Sequence, residues 1–207
     1  QIATLGFNLK NKGLIEDVRV TGSVTGNNDV AGIVNKIDED GKIENVAFVG
    51  KIDSVGNNST VGGSAGSNYM GFVNRVYVDA TITANNANAS MLVPFVTYML
   101  NSWKSGTKAR VTNSVAKGVL DVKNTRNVGG IVAKTWPYGA VQDNVTYAKV
   151  IKGQEIFASN DVNDEDGGPY IKDLFGVVGY SSAEDGTGKD TKNPKKLKHL
   201  TKEEADN

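Results

Sequence analysis

The sequence predicts an all-β fold, a right-handed parallel β-helix (β-solenoid) of about five rungs with irregular loops and a polar C-terminal tail. The composition favours strands and turns over helices, because the 207 residues include 24 Gly, 22 Asn and 26 Val but only 4 Pro. A segment with apolar residues at alternate positions recurs along the chain, and a block of small residues follows it. The copies recur at a nearly constant period, which is typical of stacked repeats.

The longer repeated segment opens with glycine or alanine. In its two clearest copies, which start at Gly13 and Gly41, Ile follows two positions later and Asp-Val or Asn-Val completes the motif. Weaker copies start at Gly71, Ala109 and Gly139, so the starts lie 28, 30, 38 and 30 residues apart. Apolar and polar residues alternate after the Asp or Asn, which predicts a strand with one buried face.

The second block consists of small residues and alternates with the first. It occupies residues 30–34, 61–65, 89–93 and 128–132, with a last, isolated echo at 174–179. A single rung cannot bury its own apolar positions, so we expect the copies to stack with parallel strands about 4.8 Å apart. We expect Gly32, Gly63 and Gly130 to lie at positions where a side chain would crowd the narrow interior. A meander sandwich of short strands is the main alternative, and the fixed period favours the solenoid.

The chain divides into three predicted parts. The solenoid repeats occupy residues 1–157, and an acidic loop with a closing strand or cap occupies residues 158–180. Residues 181–207 are predicted to be a Lys-rich linker and the start of a truncated helix, because Thr201 and Glu204 have capping-box spacing. We interpret the chain as a piece of a larger protein.

The repeat motifs carry a resemblance to known proteins. The alternation of Gly-x-Ile-x-Asn-Val, as at residues 41–46, with Val-Gly-Gly-Ile-Val, as at residues 128–132, resembles the GLUG-type repeats of bacterial surface proteins. Together with the tail at residues 196–206, it looks most like a non-catalytic region of the streptococcal zinc metalloproteases of the immunoglobulin A1 protease type. The resemblance rests on the repeat pattern over residues 1–180 and on the individual residues of the tail.

In that family a repeat-bearing region precedes a C-terminal catalytic domain with an HExxH zinc motif. This chain contains no HExxH, so no zinc ligand or catalytic residue of the family can be placed on it. The resemblance therefore implies a non-catalytic domain without a cofactor of its own, with zinc bound in the catalytic domain of the parent protein. It implies an extracellular location, secreted or associated with the cell wall. It also implies that the partner is the immunoglobulin A1 substrate, the parent's catalytic domain, or both.

Charge and composition exclude several other functions. The 23 Lys and Arg balance the 23 Asp and Glu, which argues against a nucleic-acid binder, and the chain has no apolar run long enough to insert into a membrane. The absence of cysteine excludes disulfides and thiolate sites, and the single histidine excludes a multi-histidine metal site. We expect a monomer.

Two short segments invite a metal-site hypothesis. His199 precedes Glu203 at helical spacing, but this pair supplies two ligands at most, and we favour a linker histidine. The acidic segment 161–168 has Asp166 at the position where an EF-hand needs glycine, and Lys172 where it needs glutamate. A solvated acidic turn is favoured there, and a looser calcium loop remains the alternative.

A catalytic reading of the solenoid depends on carboxylates in neighbouring rungs. Glu16, Glu44, Asn74 and Thr112 occupy matching positions, so two adjacent rungs present an acid on one face. The alternation of the strands makes these residues point outward as surface side chains. We therefore predict no catalytic residues in this segment.

The aromatic residues are a better candidate for function. Five of them follow the small-residue strand in successive rungs, a position from which insertions project along one edge of a solenoid. Large amphipathic side chains are typical of the centre of a protein interface. The predicted partner-binding residues are Tyr69, Tyr98, Trp103, Trp136 and Tyr138. The alternative is that residues 91–103 form a short helix or loop that packs its own aromatic side chains against the solenoid.

Two functions are compatible with these observations. The first is a non-catalytic substrate-recognition or scaffold domain of a secreted bacterial zinc metalloendopeptidase that cleaves immunoglobulin A1. The second is a structural or adhesive β-solenoid module of a bacterial surface protein. Irregular connections and the aromatic edge favour the first, because a simple spacer needs only uniform rungs with short turns.

Overall fold

The computed structural model of the chain describes residues 1–38, 40–96, 109–135, 140–151, 157–160, 174–175, 177–180 and 197–200, and all its regular elements are strands. These strands form a fourteen-stranded sheet and a six-stranded sheet. Their bounds are β1 Ile2–Ala3, β2 Gly6–Leu9, β3 Leu14–Glu16, β4 Arg19–Gly26, β5 Val30–Ala31, β6 Val34–Ile37, β7 Lys42–Gly62, β8 Ala65–Asn68, β9 Phe72–Ser90, β10 Phe95–Val96, β11 Arg110–Thr112, β12 Val115–Gly129, β13 Val132–Thr135, β14 Ala140–Gln142, β15 Val145–Thr146, β16 Lys149–Val150, β17 Phe157–Asn160, β18 Leu174–Phe175, β19 Val177–Tyr180 and β20 Leu197–Leu200.

The strands stack in parallel, one repeat copy on the next. All strand pairs in the described ranges are parallel. Successive pairs join Leu14 to Lys42, Lys42 to Phe72, Phe72 to Arg110 and Arg110 to Ala140. These offsets are the repeat spacings read from the sequence, so the predicted parallel β-solenoid and its register are confirmed.

The interior is filled by apolar side chains that lie above one another in register. Each buried position of a strand recurs in the next turn because strand pairing keeps the alternation in phase. One such column contains Val20, Phe48, Val78 and Ala116, and a second contains Val24, Ile52, Ile82 and Leu120. From the second copy onward these side chains are almost completely buried.

Glycine is required where neighbouring turns approach most closely. A Cβ atom on Gly32 would lie 2.1 Å from the carbonyl oxygen of Gly63, and one on Gly63 would lie 1.9 Å from that of Met91. Both distances are far below van der Waals contact, so these positions exclude any side chain. The predicted crowding at Gly32 and Gly63 is confirmed, and Gly130 is buried as well.

The Asp or Asn of the repeat motif forms a corner with a left-handed backbone. The corner separates β3 from β4, β11 from β12 and β14 from β15, and in the second and third copies it lies within β7 and β9. Its φ angle lies between 52° and 55° in all five copies, at Asp17, Asn45, Arg75, Asn113 and Asp143. Asn and Asp tolerate this conformation better than other residues with a side chain, which explains their recurrence. Arg75 is the exception.

Three details differ from the sequence-based prediction. The structure forms about four turns rather than five rungs. The last small-residue block is not isolated, because β18 and β19 pair with β14 and β15 and extend the first sheet. In the predicted linker, β20 pairs in parallel with β19, and His199 lies opposite Gly179. Leu197 and Leu200 lie three positions apart among lysines, which is not the two-residue alternation of a strand, so no signal in the sequence pointed to β20.

Candidate functional site

Tyr69 is the one predicted partner-binding residue that lies in the described part of the chain. Tyr98, Trp103, Trp136 and Tyr138 lie outside the described residues. In the described part of the chain, the candidate site consists of Tyr69 and the strand ends that precede the other aromatic residues.

A buried asparagine fixes the backbone that carries Tyr69. Asn68, at the end of β8, accepts a hydrogen bond from the Gly71 amide at 2.8 Å and donates to the Gly71 carbonyl at 3.0 Å. It also donates to the carbonyl of Arg110 in the next turn at 3.1 Å. The amide of Tyr69 donates to the Ile37 carbonyl of the preceding turn at 2.9 Å. Tyr69 is thus held between two turns, which fixes where its ring leaves the sheet.

A lysine from the preceding turn stacks on the Tyr69 ring. The Lys36 ammonium nitrogen lies 4.6 Å from the ring centroid, within the range of a cation–π contact. The same nitrogen lies 2.9 Å from a carboxylate oxygen of Asp38. The Asp38 carboxylate offsets the charge of Lys36, and the lysine covers part of the ring. The Lys36–Tyr69 contact therefore presents an amphipathic surface, which suits an apolar or aromatic side chain of a partner.

Beside Tyr69 the surface forms a small cleft, which we call the Tyr69 cleft. Its volume is about 180 Å³. This is below the several hundred Å³ typical of a pocket that encloses a small-molecule ligand. The cleft therefore suits one or two side chains of a partner rather than a whole cofactor. Its lining residues are Gln1, Phe7, Asp29, Asn35, Lys36, Thr60, Ser67 and Tyr69.

The polar groups of the cleft are held by the solenoid itself. One carboxylate oxygen of Asp29 accepts hydrogen bonds from the Thr60 amide at 3.0 Å and the Thr60 hydroxyl at 2.7 Å. The Asn35 side chain donates to the carbonyls of Ile2 and Asp29. These bonds make the walls rigid and connect adjacent turns. They also occupy the groups that would otherwise recognise a polar ligand, so the exposed ring of Phe7 and the half-buried ring of Tyr69 are the main contact surface.

Three strands of the second sheet end at the same level. Val96 of β10 pairs with Asn68 of β8 on one side and with Thr135 of β13 on the other. Tyr69 and Trp136 directly follow Asn68 and Thr135 in sequence, and Tyr98 is two residues beyond Val96. The described backbone therefore brings together the three strand ends from which the aromatic segments depart.

The two carboxylates of the catalytic hypothesis form part of a surface ladder. Glu16 and Glu44 pair in register, and both are solvent-accessible, as the alternation predicted. Glu44 accepts hydrogen bonds from Arg75 and from Asn74, the latter at 3.2 Å. Asn74 in turn accepts one from Thr112 at 3.0 Å. Neighbouring amides and a guanidinium thus satisfy the carboxylate in the second turn, which is the arrangement of a structural ladder.

A second surface feature was missed by the sequence analysis. Around the corner residues Asp17 and Asn45 lies an open depression of about 390 Å³, flanked by Arg19, Arg75 and Tyr77. Burial raises the pKa of Tyr77 above its usual value, and the Asp79 carboxylate, 3.3 Å from its hydroxyl, raises this pKa further. The recurrence of the corner residues in sequence was the signal, but which side chains flank them depends on the register between turns.

A metal-binding cluster and a membrane-spanning helix are two features absent from the described residues. Within them, no group of three or more histidine, cysteine, aspartate or glutamate side chains is placed to hold a metal ion. Nor do these ranges contain a helix with the length and hydrophobicity that crossing a bilayer requires.

Comparison with known proteins supplies the remaining context. No family model matches the sequence, and no solved structure matches it. The chain is 49% identical over 208 residues to the zinc metalloprotease ZmpB of Streptococcus pneumoniae serotype 4 (strain ATCC BAA-334 / TIGR4), which covers 99% of this chain and 11% of that protein. It is 32% identical over 166 residues to the zinc metalloprotease ZmpC of the same strain, which covers 74% of this chain and 8% of that protein.

The chain therefore spans about a tenth of the length of the curated relatives that it matches. The higher identity extends over almost all of this chain, so the similarity includes the tail as well as the repeats. The resemblance predicted from the repeat motifs is confirmed at this level: the sequence is related to a segment of the streptococcal zinc metalloproteases.

Proposed function

We propose that this chain is a non-catalytic substrate-recognition or scaffold segment of a secreted zinc metalloendopeptidase that cleaves immunoglobulin A1. The observation that carries the proposal is the 49% identity over 99% of the chain to a zinc metalloprotease of which this segment is 11%. A segment of this size without an HExxH motif contributes to a protease by binding or by positioning other parts. Zinc would then be bound in a catalytic domain outside these residues.

The Tyr69 cleft and the three aligned strand ends are the proposed contact surface. Exposed aromatic rings on a rigid scaffold provide a large contact area at a small entropic cost. The Lys36–Tyr69 contact adds an amphipathic surface, and the small cleft volume suits a partner's side chain. The proposed partners are immunoglobulin A1 and the parent's catalytic domain, with the solenoid acting as a monomer at the cell surface.

A titration of the chain with human immunoglobulin A1, followed by NMR chemical shifts, tests the recognition role. Immunoglobulin A2 serves as the control partner. We expect saturable shifts at Tyr69 and around the ends of β8, β10 and β13 with immunoglobulin A1 alone. Equal shifts with both immunoglobulins, or shifts confined to the opposite sheet, would contradict the proposed surface.

A matched pair of tyrosine variants separates this surface from general effects on folding. Tyr147 also lies under a lysine, with the Lys117 nitrogen 5.6 Å from its ring centroid, but it lies between β15 and β16 of the first sheet, where its amide donates to the Ala116 carbonyl. We expect Tyr69→Ala to weaken binding about tenfold, the loss of one interface aromatic residue, and Tyr147→Ala to leave it unchanged. Equal losses in the two variants would overturn the assignment.

The scaffold role has its own readout. If neither immunoglobulin produces shifts, recognition by the isolated segment is excluded, and the titration is repeated with the parent's catalytic domain. Shifts at the Tyr69 cleft in that titration would assign the segment to interdomain contact. No shifts in any titration would contradict both roles and favour the alternative of a structural or adhesive module.

A further inference from the structure

The N-terminal end of the solenoid exposes one side of four strands. We call these strands, β1, β2, β3 and β4, the outer edge. In the ranges that the structure describes, each of them pairs on one side only, with β5, β6 or β7 of the following turn. The other side of each strand presents backbone donors and acceptors along the direction in which a further strand would add.

Large apolar side chains are concentrated at the same end. Ile2, Leu5, Phe7 and Leu14 are 42–58% exposed, and they are four of the six large hydrophobic residues that are exposed in the described ranges. A single exposed apolar residue is ordinary, but a group at one end of a molecule marks a contact surface. In the same turn, Val20 and Val24 each retain 8% exposure, while Phe48 and Ile52 at the same positions of the next turn retain none.

A glycine of the outer edge shows what kind of contact is missing. Gly22, Gly50 and Gly118 occupy the same column, and all have positive φ angles. A Cβ atom on Gly50 would lie 1.8 Å from the carbonyl oxygen of Gly22, and one on Gly118 would lie 2.0 Å from that of Ala80. A Cβ atom on Gly22 would meet no atom within 4 Å. At Gly50 and Gly118 a carbonyl group of the preceding turn fills this space. At Gly22 the same space is open.

We propose that the outer edge binds a further parallel rung of the same repeat, supplied by the same longer polypeptide. The occupant is chosen by continuity, since a rung already binds this way between every pair of adjacent turns. Ile2 pairs with Val30 and Gly22 with Gly50, both at an offset of 28, so an added 28-residue rung continues the register. The relatives provide the necessary chain, because the matched segment is 11% of one and 8% of the other. This inference does not rest on the proposed function, but the two surfaces share Phe7, which lines the Tyr69 cleft and belongs to the outer edge.

A tandem duplication tests whether the edge accepts such a rung. A second copy of residues 1–28, fused ahead of Gln1, would place its own Gly22 above the native one. The control is the same 28 residues in scrambled order, which keeps the length and composition. The readouts are NMR hydrogen exchange of the native β4 amides that point away from β7, and binding of an apolar dye.

Each outcome has a definite meaning. We expect the duplication to slow exchange of those amides by at least about tenfold and to reduce dye binding, while the scrambled control changes neither. Unchanged exchange in the duplicated protein, or equal protection by the scrambled control, would overturn the proposal. Exchange and molecular mass of the unfused chain are also measured at low and high protein concentration. Protection that appears with dimerisation would identify a second copy as the occupant and overturn the choice of a rung from the same polypeptide.

Discussion

The first turn and the interior turns of the solenoid follow one sequence pattern but differ in what covers them. In the described ranges, β4 pairs with β7 alone, whereas β7 lies between β4 and β9. The two apolar columns are fully buried in the second turn, at Phe48 and Ile52, and partly open in the first turn, at Val20 and Val24. The repeat motif therefore determines which side chains face the interior, while the neighbouring turn determines whether water is excluded from them.

The largest expected effect comes from matched glycine substitutions in the two regions. Gly50→Ala forces a Cβ atom against the Gly22 carbonyl and should destabilise the protein by roughly 3 kcal/mol or more. Gly22→Ala meets no neighbouring atom, so its cost is that of the positive φ angle alone, about 1–2 kcal/mol. Urea unfolding of both variants measures the difference. Equal losses would show that the preceding turn does not approach Gly50 as described.

The second comparison removes the same two methyl groups at equivalent core positions. Val78 and Val20 occupy one column, but Val78 is 0% exposed and Val20 is 8% exposed. Val78→Ala leaves a cavity between two turns and should cost roughly 2–3 kcal/mol, against about 1 kcal/mol for Val20→Ala. Thermal and urea unfolding report both values. A larger loss for Val20→Ala would mean that the first turn is already covered in solution.

A third comparison concerns polar contacts between turns. Asp29→Ala removes the acceptor of two hydrogen bonds from Thr60, one of them from its backbone amide, and should cost roughly 1–2 kcal/mol. Asp53→Ala is the control, because Asp53 accepts one bond, from the Thr83 hydroxyl at 2.6 Å, on the outer surface. We expect its loss to stay below about 0.5 kcal/mol. The proposed role of Asp29 is rejected if the control is equally destabilised.

The corner residues provide a smaller test. Asn113 and Arg75 share a φ angle of 52°, which asparagine tolerates better than arginine does. Asn113→Ala should therefore cost about 1 kcal/mol, since it also loses the 2.9 Å bond to Asn74. Arg75→Ala should change stability by less than about 0.5 kcal/mol, because its ion pair with Glu44 is exposed. A large loss for Arg75→Ala would show that the guanidinium fixes the corner.

The smallest expected effect is on the pKa of Tyr77, which reports on three successive turns. Asp79→Asn should lower this pKa towards its usual value without reaching it, because burial is the larger cause of the shift. Arg19→Gln should raise it, since Arg19 lies two turns away in the same column and lowers the pKa through its charge. NMR titration of the Tyr77 ring carbons measures both. No response to Arg19→Gln would argue against the stacking of these three positions.

The repeat spacing predicted most of the fold because, in a solenoid, the number of residues between two copies equals the offset between the residues that pair. The starts at Gly13, Gly41 and Gly71 fix which residues hydrogen-bond, and the structure pairs the residues that follow them. The crowding at Gly32 and Gly63 followed from the same logic, since small residues recur only where turns approach closely.

The site was less predictable because its contacts join turns at positions that do not repeat. The stacking of Lys36 on Tyr69 and the bonds from Asn68 to the next turn depend on which side chains happen to lie one turn apart. Buried polar residues were also misleading. Asn144 has the sequence context of a turn residue, yet it is fully buried and bonds the Ser114 amide and the Val111 carbonyl.

The most direct test of the account is engineered disulfide formation between turns, since the chain has no cysteine of its own. Ser23, Lys51 and Thr81 are exposed and lie in register on three successive turns. The pairs Ser23→Cys with Lys51→Cys and Lys51→Cys with Thr81→Cys should each form a disulfide, because adjacent strands are about 4.8 Å apart. Ser23→Cys with Thr81→Cys should remain reduced at about 9.6 Å. Cross-linking of that last pair, or failure of both adjacent pairs, would contradict the stacked parallel solenoid.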